Sequence, residues 1–210
     1  MNTEEKKDLT HKNEQVRTVV THKCILKATD LFLQQNPASK LTTNKIARVA
    51  GVSIGSVYNH FKNKDEILIE LINNQLDEDL ITYGNFFNDE SKRETIEEEF
   101  HKFLKVVLDN YRRNIELRRL IIFYKRHPSV EKKFVYVNRA TQTLIEDHFY
   151  QSSEIKSELP IDIIVSSLRG VIRYYLEFCP EKFGSFELDR ELDILISSYI
   201  KNSHLIDRHD

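Results

Sequence analysis

Two features of this 210-residue sequence predict an all-α fold. Residues that break helices are scarce, because the chain has only five glycines and four prolines. Apolar residues recur every three or four positions through nearly every segment, whereas the alternation typical of β-strands is almost absent. Together these features predict a series of amphipathic helices joined by short loops.

The first predicted helix covers residues 16–35 and follows a polar segment, residues 1–15, that we expect to be a flexible N-terminal arm. Asn36 tolerates the left-handed conformation that commonly follows a helix, and Pro37 cannot continue one, so the helix is predicted to end there. Its predicted buried face consists of Ile25, Ala28, Leu31 and Phe32.

Two short helices follow, each with its own capping residue. The first is predicted over residues 43–50 with Thr42 as its N-cap, and the second begins after the N-cap Ser53 and ends near Phe61. Gly51 between them supplies the positive φ angle of a tight turn. The apolar residues predicted to hold these helices against the first one are Ile46, Val49, Val52, Val57 and Phe61.

The remaining helices are predicted from the same period and from the positions of proline. A fourth helix covers about residues 64–83, with Asn63 as its N-cap and Glu66 as the reciprocal partner of a capping box. A polar loop over residues 84–92 follows it. Later helices are predicted over residues 93–111, 114–126, 129–150, 160–179 and 187–204, with Pro128 and Pro160 opening two of them.

Charge is distributed unevenly along the chain, although the formal total is only -2. Residues 11–64 contain nine basic and two acidic residues, whereas residues 65–210 contain 20 basic and 28 acidic residues. One basic segment within an acidic chain is the pattern expected of a protein that meets phosphates. Of the 21 aromatic residues, 18 lie beyond residue 80, so the second part of the chain is predicted to hold most of the large apolar side chains.

Composition and motifs exclude several classes of protein. Uncharged apolar runs such as residues 121–124 are far shorter than the ~20 residues that cross a membrane. The Lys- and Glu-rich N-terminus lacks an apolar signal sequence, and two cysteines, which we expect to be buried thiols, cannot form a disulfide framework. Phosphate-loop, dinucleotide-binding and metal-ligand motifs are missing, so we predict a cytoplasmic protein with no metal, cofactor or catalytic residues.

Residues 42–61 form a helix-turn-helix pattern, in which two capped helices are joined by a tight glycine turn. In such a motif one helix crosses the DNA backbone and the other enters the major groove. Exposed tyrosine, histidine and lysine are typical of phosphate contacts, so this segment predicts binding to double-stranded DNA. The outward-facing positions are Asn44, Lys45, Ile54, Gly55, Ser56, Tyr58, Asn59 and His60.

The stretch TTNKIARVAGVSIGSVYNHFKNKDEIL, residues 42–68, and the preceding CILKATDLF, residues 24–32, resemble the N-terminal domain of the TetR/AcrR family of transcriptional regulators. The resemblance covers residues 18–72. It implies an α-helical homodimer with two DNA-binding domains and a C-terminal domain that binds a small-molecule effector. The resulting domain boundaries are residues 1–15 for the arm, 16–66 for the DNA-binding domain and 67–210 for the ligand-binding and dimerisation domain.

Roles for individual residues follow from the same resemblance. It implies that Thr43, Tyr58, His60 and Lys64 grip phosphates and that Asn44, Ile54, Gly55 and Ser56 lie near base edges. Ile54 departs from the polar residue common at its position, so it can select a base only by apolar contact. His22 stands where an arginine is common and predicts one weaker phosphate contact, and Asn36 stands where a glycine is common.

A second motif overlaps this segment. Residues 51–55 satisfy the G-x-S-x-G pattern of a hydrolase nucleophile elbow, with Ser53 as the nucleophile. That elbow requires a strand before the serine, whereas residues 46–50 follow a helical pattern. A serine hydrolase is therefore a remote alternative, and a DNA-binding activator or structural factor without a ligand is a second one.

An apolar cavity is predicted in the C-terminal domain, because large aromatic residues recur on several of its helices and the resemblance implies a ligand domain. This combination predicts a repressor that a small, largely apolar effector releases from a palindromic operator. The candidate lining residues are Phe100, Phe103, Leu104, Val107, Tyr111, Phe123, Tyr124, Tyr136, Phe149, Tyr174 and Phe178. Polar candidates for orienting the effector are His101, Arg112, Arg119, Arg139 and Arg173.

The last two helices are predicted to form the homodimer. Apolar residues occur around more than one face of each helix, and the small residues among them permit close approach of a second helix pair. In the family these helices pair with their copies. The candidate interface residues are Ile164, Leu168, Gly170, Val171, Tyr175, Leu192, Leu195, Ile196 and Tyr199.

Overall fold

The computed structural model describes the backbone of residues 3–88, 95–150 and 159–202, and the side chains of residues 15–88, 95–150 and 161–202. Over these residues the chain is helical and contains no β-strand, which confirms the predicted fold class. Short 3-10 helices occupy two loops, at Ala38–Lys40 and Pro180–Lys182. The α-helices are α1 (Thr3–Gln35), α2 (Thr43–Ala50), α3 (Ile54–His60), α4 (Lys64–Phe87), α5 (Ile96–Arg112), α6 (Ile115–Tyr124), α7 (Pro128–Tyr150), α8 (Leu159–Phe178) and α9 (Phe186–Asn202).

Two compact units make up the chain, Met1–Asn74 and Gln75–Asp210. The division falls within α4, so that helix contributes residues to both units. The domain boundary predicted after residue 66 lies near the start of the same helix and stays a prediction. No helix in the described part of the chain is both long and apolar enough to cross a membrane.

Helix α1 begins at Thr3 rather than near residue 16, so the backbone of residues 3–15 is helical. The predicted flexibility of residues 1–15 stays a prediction, because residues 1–2 and the side chains up to residue 14 lie outside the described ones. Leu31 is 41 % exposed, against the prediction, and Leu33 is buried instead. Two residues of an α-helix correspond to about 200° of rotation, so these two side chains point to opposite sides.

The core of the first unit combines α1, α2, α3 and the first half of α4. Val49 was predicted to belong to it but is 46 % exposed, because it follows the buried Ala47 by two residues and points away from α1. Cys24 is exposed rather than buried. The completely buried apolar side chains of this core are Ile25, Ile46, Val57, Ile67 and Ile72.

Helix α4 begins as the capping pattern predicts but differs in one hydrogen bond. Asn63 Oδ1 accepts from the backbone N–H of Glu66 at 2.9 Å. The carboxylate of Glu66 accepts from the N–H of Lys62 at 2.7 Å, one residue before the predicted capping-box partner. The helix continues to Phe87, beyond the predicted end near residue 83. Residues 89–92 of the predicted loop and residues 93–94 of the next predicted helix lie outside the described residues.

The second unit packs the rest of α4 with α5 to α9 around one apolar core. Thr95 and Glu98 form a complete capping box at α5, and these hydrogen bonds to Thr95 hold the pKa of Glu98 below its ordinary value. Pro128 is the first residue of α7 and Pro160 the second residue of α8, as predicted for helix-opening prolines. The most buried large side chains of this core are Phe149, Phe183, Ile145, Ile161, Ile164 and Leu176.

Candidate nucleic-acid interface and interior cavity

The α2–turn–α3 segment is built from short-range hydrogen bonds that the sequence predicts. Thr42 Oγ1 accepts from the N–H of Lys45 at 3.3 Å, and Ser53 Oγ accepts from the N–H of Ser56 at 3.0 Å. Gly51 has φ of +68° and ends α2 by donating back to Ala47 and Arg48. These bonds satisfy N–H groups that the first turn of a helix would otherwise leave unpaired, so the turn is held in one conformation.

Helix α3 is anchored on one side and open on the other. Val57 is completely buried and Phe61 is 4 % exposed, whereas Tyr58 is 54 % and Ile54 37 % exposed. An added Cβ at Gly55 would meet only Ser53 Oγ, at 3.7 Å, so no other side chain covers the helix backbone at this position. Of the predicted base-reading positions, Asn44, Ile54 and Gly55 lie on the exposed surface and Ser56 is half-buried. Asn59, predicted only to face outward, is also exposed.

Thr43 and Tyr58 connect the two helices of the motif. Their hydroxyl oxygens lie 3.2 Å apart at the protein surface, where either group can donate. Each hydroxyl keeps a further lone pair or proton for another partner, because a hydroxyl can both donate and accept. The pair therefore presents two hydroxyl groups at one point, which suits the two side chains predicted to grip phosphate.

Lys45 and His60, two other predicted contacts, are engaged within the domain. Lys45 Nζ donates to the carbonyl oxygen of Lys40 at 2.8 Å and lies 5.6 Å from the centroid of the Phe32 ring. His60 stands edge-on to His22, with ring centroids 5.5 Å apart. Lys64, at the first residue of α4, is half-buried and makes no hydrogen bond or ion pair with any described residue.

His22 connects α1 to the end of α3 and to α4. Its ring stacks on Phe61 with centroids 4.7 Å apart, and its Nε2 lies 2.5 Å from Glu70 Oε1. A carboxylate partner and a stacked ring fix the orientation of the imidazole. This arrangement agrees with the prediction that His22 contributes less to phosphate binding than an arginine would.

The geometry around Ser53 contradicts a hydrolase nucleophile elbow. Ser53 follows helix α2 and Gly51, not a strand, and its Oγ lies 2.8 Å from Ser56 Oγ while capping α3. A nucleophilic serine needs a neighbouring base, usually histidine, to take its proton. The hydroxyl of Ser53 is instead used to begin a helix.

The second unit encloses a cavity of about 380 Å³. Apolar side chains make up most of its wall, and five predicted residues belong to it. They are Phe100, Phe103, Leu104, Val107 and Tyr111. Helices α4, α6, α7 and α8 add Leu76, Tyr83, Ile121, Val137, Ile145, Val165 and Leu176. The volume is at the lower end of the roughly 300–1,000 Å³ range of small-molecule sites.

Six predicted lining residues do not line the cavity. Phe123, Tyr174 and Phe178 are 78 %, 54 % and 67 % exposed, because each follows a buried residue of its helix by two positions and points outward. Tyr136 is also exposed, and Tyr124 is half-buried with its ring against Phe123. Phe149 fills the core instead, stacked on Phe100 with centroids 4.2 Å apart.

A buried ionic network that the period of apolar residues does not predict lies beside the cavity. Arg118 and Asp79 are both 4 % exposed, and Arg118 donates through two nitrogens to the carboxylate, one bond measuring 2.8 Å. Asn110 and Gln75 donate to the same carboxylate at 2.9 and 3.0 Å. Arg118 also lies 4.2 Å from the ring centroid of Tyr111. The sequence feature that could have indicated this network is the presence of charged residues on the apolar faces of α4 and α6.

Burial and hydrogen bonding have opposite effects on the pKa of Arg118 in this network. Burial lowers the pKa of Arg118, but its bonds and charge interaction with Asp79 outweigh that effect, and the net result is a raised pKa. Burial also raises the pKa of Tyr111 and, more strongly, that of Tyr83. Arg118 therefore stays charged, and both phenols stay neutral and able to donate hydrogen bonds.

The predicted dimer residues fall into two groups. Ile164, Leu168, Leu192 and Ile196 are 9 % exposed or less within their own unit, so they cannot reach a second copy without leaving the core. Val171, Tyr175 and Tyr199 are half-buried, and Gly170 and Leu195 are exposed. The same two helices also expose five apolar residues that the prediction omitted, namely Ile163, Tyr174, Phe178, Phe186 and Ile194.

Comparison with known proteins connects the first unit to a family. Residues 25–71 match the family model of bacterial regulatory proteins of the TetR family, which confirms the resemblance seen in the sequence. This match covers α2, α3 and parts of α1 and α4. No curated protein sequence matches the chain significantly.

Three solved structures show that the fold extends over most of the chain. One named as a TetR-family transcriptional regulator from Mesorhizobium loti has a TM-score of 0.71 at 17 % identity, covering 88 % of this chain and 97 % of that one. A TetR-family regulator from Streptomyces coelicolor has 0.64 at 15 %, covering 87 % and 83 %. The regulator FadR from Bacillus subtilis, in complex with stearoyl-CoA, has 0.62 at 17 %, covering 85 % and 97 %.

Proposed function

Since this chain carries the helix-turn-helix domain of the TetR family of bacterial regulatory proteins, we propose that it is a transcriptional repressor that a small, largely apolar effector releases from DNA. The family match over residues 25–71 carries the proposal, because it includes both capped helices and the Gly51 turn. The proposal also places the protein in the cytoplasm, where bacterial DNA lies.

DNA recognition divides between two sets of side chains. Thr43, Tyr58, His60 and Lys64 hold the phosphates and set the register of the domain, while the exposed start of α3 reaches the base edges. Asn44 can bind a base through its amide, and Ile54 can select a thymine methyl by contact. Gly55 allows DNA to approach the backbone of α3 closely, because no side chain projects from the helix there.

The operator is a palindrome read by a homodimer. Two copies of α3 enter successive major grooves when their separation matches one helical turn, about 34–36 Å. The exposed apolar residues of α8 and α9 are the surfaces we assign to the interface, in place of the four buried residues named above. In a symmetric dimer each contact occurs twice, so a modest patch on each copy contributes two equivalent sets of contacts to the interface.

The effector acts by preferring a protein conformation that binds DNA poorly. Helix α4 contributes Leu76, Asp79 and Tyr83 to the cavity wall and begins at Lys64, so one continuous helix belongs to both proposed sites. A typical coupling is ~1–3 kcal/mol, and operator DNA must then weaken effector binding by the same factor. The structure of FadR with stearoyl-CoA supports the idea that this fold accommodates an apolar ligand.

Selection from a random double-stranded DNA library tests DNA recognition without requiring a candidate operator. We expect the protein to enrich a palindrome with half-sites about one turn apart. Fluorescence anisotropy then measures affinity for this site with and without apolar compounds that raise the melting temperature. Enrichment without symmetry would contradict the dimeric mode of binding.

Two other outcomes correspond to the alternative functions. Compounds that bind but leave operator affinity unchanged, or a cavity that accepts none, would favour an activator or structural factor. Turnover of a chromogenic ester that disappears in Ser53→Ala would favour a hydrolase. A matched Ser56→Ala variant controls for effects on α3, because Ser56 lies beside Ser53 and is not the N-cap.

A further inference from the structure

The cavity wall contains four charged side chains whose charges do not cancel. Asp79 and Arg118 neutralise each other in the buried network described above. Arg173 donates to Glu177 at 3.0 Å and has an exposed side chain. Arg169, on the inner side of the same helix, is the fourth.

Arg169 is half-buried, and its side chain makes no hydrogen bond or ion pair with any residue that the structure describes. Burial lowers its pKa, while Tyr111, Tyr83 and Glu146 act on it electrostatically in the opposite direction. The Glu146 carboxylate itself accepts a hydrogen bond from Gln142 at 2.7 Å. A guanidinium stays protonated at any physiological pH, so the cavity holds one positive charge without a direct partner.

Tyr83 supplies a second unsatisfied group on the same wall. The residue is 5 % exposed, its ring stands edge-on to Phe103 at 5.5 Å, and its hydroxyl makes no hydrogen bond. Asn110 and Tyr111 lie near this hydroxyl, but neither has hydrogen-bond geometry with it. Buried polar groups are rarely left without a partner, so such a group at a cavity indicates an absent ligand atom or water.

From these two groups we propose that the cavity binds an amphipathic organic anion, whose single carboxylate or phosphate monoester pairs with Arg169 and accepts a hydrogen bond from Tyr83. Its apolar chain lies against Phe103, Leu104, Ile145 and Leu176. This inference rests on the proposed effector function and specifies the chemistry of the effector.

The charge of the wall selects against other head groups. A cationic head would meet Arg169 in a medium of low dielectric, where like charges repel far more strongly than in water. A neutral head group would displace water from Arg169 without supplying a negative charge in its place. Its binding would therefore carry the desolvation cost of the guanidinium. A cavity of about 380 Å³ suits a chain of moderate length rather than a bulky ring system.

Matched ten-carbon probes test the head-group chemistry directly: decanoate, decyl phosphate, decan-1-ol and decylammonium. Isothermal titration and thermal shift are measured on the whole protein below micelle-forming concentrations, with eight- and twelve-carbon chains in parallel. We expect at least one anion to bind about tenfold or more tighter than decan-1-ol, the lower end for a hydrogen bond to a charged group. Decylammonium should bind most weakly, and the two anions together distinguish carboxylate from phosphate.

Two substitutions assign the preference to its residues. Arg169→Gln should reduce anion affinity to that of decan-1-ol while leaving decan-1-ol binding unchanged, and Tyr83→Phe should weaken anions a few-fold. Arg169→Gln removes no bond to a described residue, so it should unfold at the same temperature as the wild type or higher. Arg126, just after α6, is exposed and lies outside the cavity wall, so Arg126→Gln is the matched control and should keep the full preference.

The outcomes separate this inference from the proposed function. Equal binding of decan-1-ol and both anions, tighter binding of decylammonium, or an anion preference that survives Arg169→Gln would each overturn the anionic effector. A cavity that binds decan-1-ol would still support an apolar effector. Binding of no probe at any chain length would overturn this inference, while DNA selection continues to test the regulator independently.

Discussion

Lys45 and Lys64 lie on the proposed DNA face, and they differ in whether the ammonium group already binds another residue of the domain. Lys45 is held by the Lys40 carbonyl, whereas Lys64 makes no bond to any described residue. A phosphate contact releases a condensed counterion, so each such lysine adds to the salt dependence of binding. Lys64 is therefore the better residue for testing phosphate contacts.

We expect Lys64→Ala to weaken binding to all DNA sequences and to reduce the slope of log affinity against log salt by about two, because a dimer on the palindrome loses one phosphate contact at each half-site. Asn44→Ala should leave that slope unchanged and relax discrimination at one base pair. Anisotropy titrations over a range of salt concentrations, on the selected operator and a scrambled duplex, measure both effects. Lys105→Ala on α5 is the control, and an unchanged slope for Lys64→Ala would refute its phosphate contact.

The Asp79–Arg118 pair contributes to stability mainly because each charge would be costly alone. Arg118→Met should destabilise the protein by about 3–5 kcal/mol, since it leaves a buried carboxylate without its partner. Urea unfolding measures this, with exposed Arg119→Met as a control expected within about 0.5 kcal/mol of the wild type. The double variant Asp79→Leu with Arg118→Met should be closer to the wild type than Arg118→Met alone, and equal losses would contradict the pairing.

At the level of elements, two glycines in open space have opposite structural requirements. Gly51 ends α2 with φ of +68°, whereas Gly84 lies inside α4 with ordinary helical geometry. An added Cβ would meet nothing within 4 Å at either position. Any difference in stability between the two alanine variants therefore comes from backbone conformation alone.

Gly51→Ala should destabilise the first unit by about 1–2 kcal/mol, the cost of a left-handed conformation for a residue with a Cβ. Gly84→Ala should stabilise by about 0.5–1 kcal/mol, because alanine loses less conformational freedom in a helix. Thermal or urea unfolding of the two variants side by side checks both signs. Loss of stability in Gly84→Ala would show that α4 does not persist through residue 84 in solution.

The helix-turn-helix and the aromatic helices differ in how far the sequence could predict them. Thr42, Gly51 and Ser53 were identified correctly, because a cap bonds residues three positions apart and its geometry is local. Phe123 and Tyr174 were misplaced, because a helix with apolar residues on several sides has no single inward face. Only packing against neighbouring helices decides between such faces.

For the whole molecule, the exposed apolar residues of α8 and α9 predict how two copies associate. Ile194→Arg or Tyr174→Glu should convert the dimer to a monomer, because each places a charge on a surface that the partner must desolvate. Light scattering after gel filtration measures the mass over a range of concentrations. Phe123→Arg on α6 is the control, since its side chain is also exposed and lies outside the proposed interface.

A monomeric Ile194→Arg variant should also lose most of its affinity for the full palindrome, since only one half-site is then bound at a time. Its affinity for an isolated half-site should equal that of the wild type, because the reading helix is unchanged. A dimer that persists in both variants would place the interface elsewhere.

The net charge of -2 combines a basic reading segment with an acidic second part. Residues 11–64 carry +7 and include α2 and α3, while residues 65–210 carry -8. An acidic second unit limits non-specific attraction to DNA, since that attraction grows with the number of neutralised phosphates. Charge distribution, rather than the total, is therefore the informative quantity for this protein.

The sequence by itself determined the helical fold, the capped helix-turn-helix and the family that this segment resembles. All three depend on patterns spanning a few residues or on a contiguous stretch such as residues 25–71. Only the tertiary structure decided which aromatic residues line the cavity and that Asp79, Arg118 and Arg169 come to its wall. Asp79 and Arg118 are 39 positions apart, and no local period specifies such a contact, because it forms only when separate helices pack.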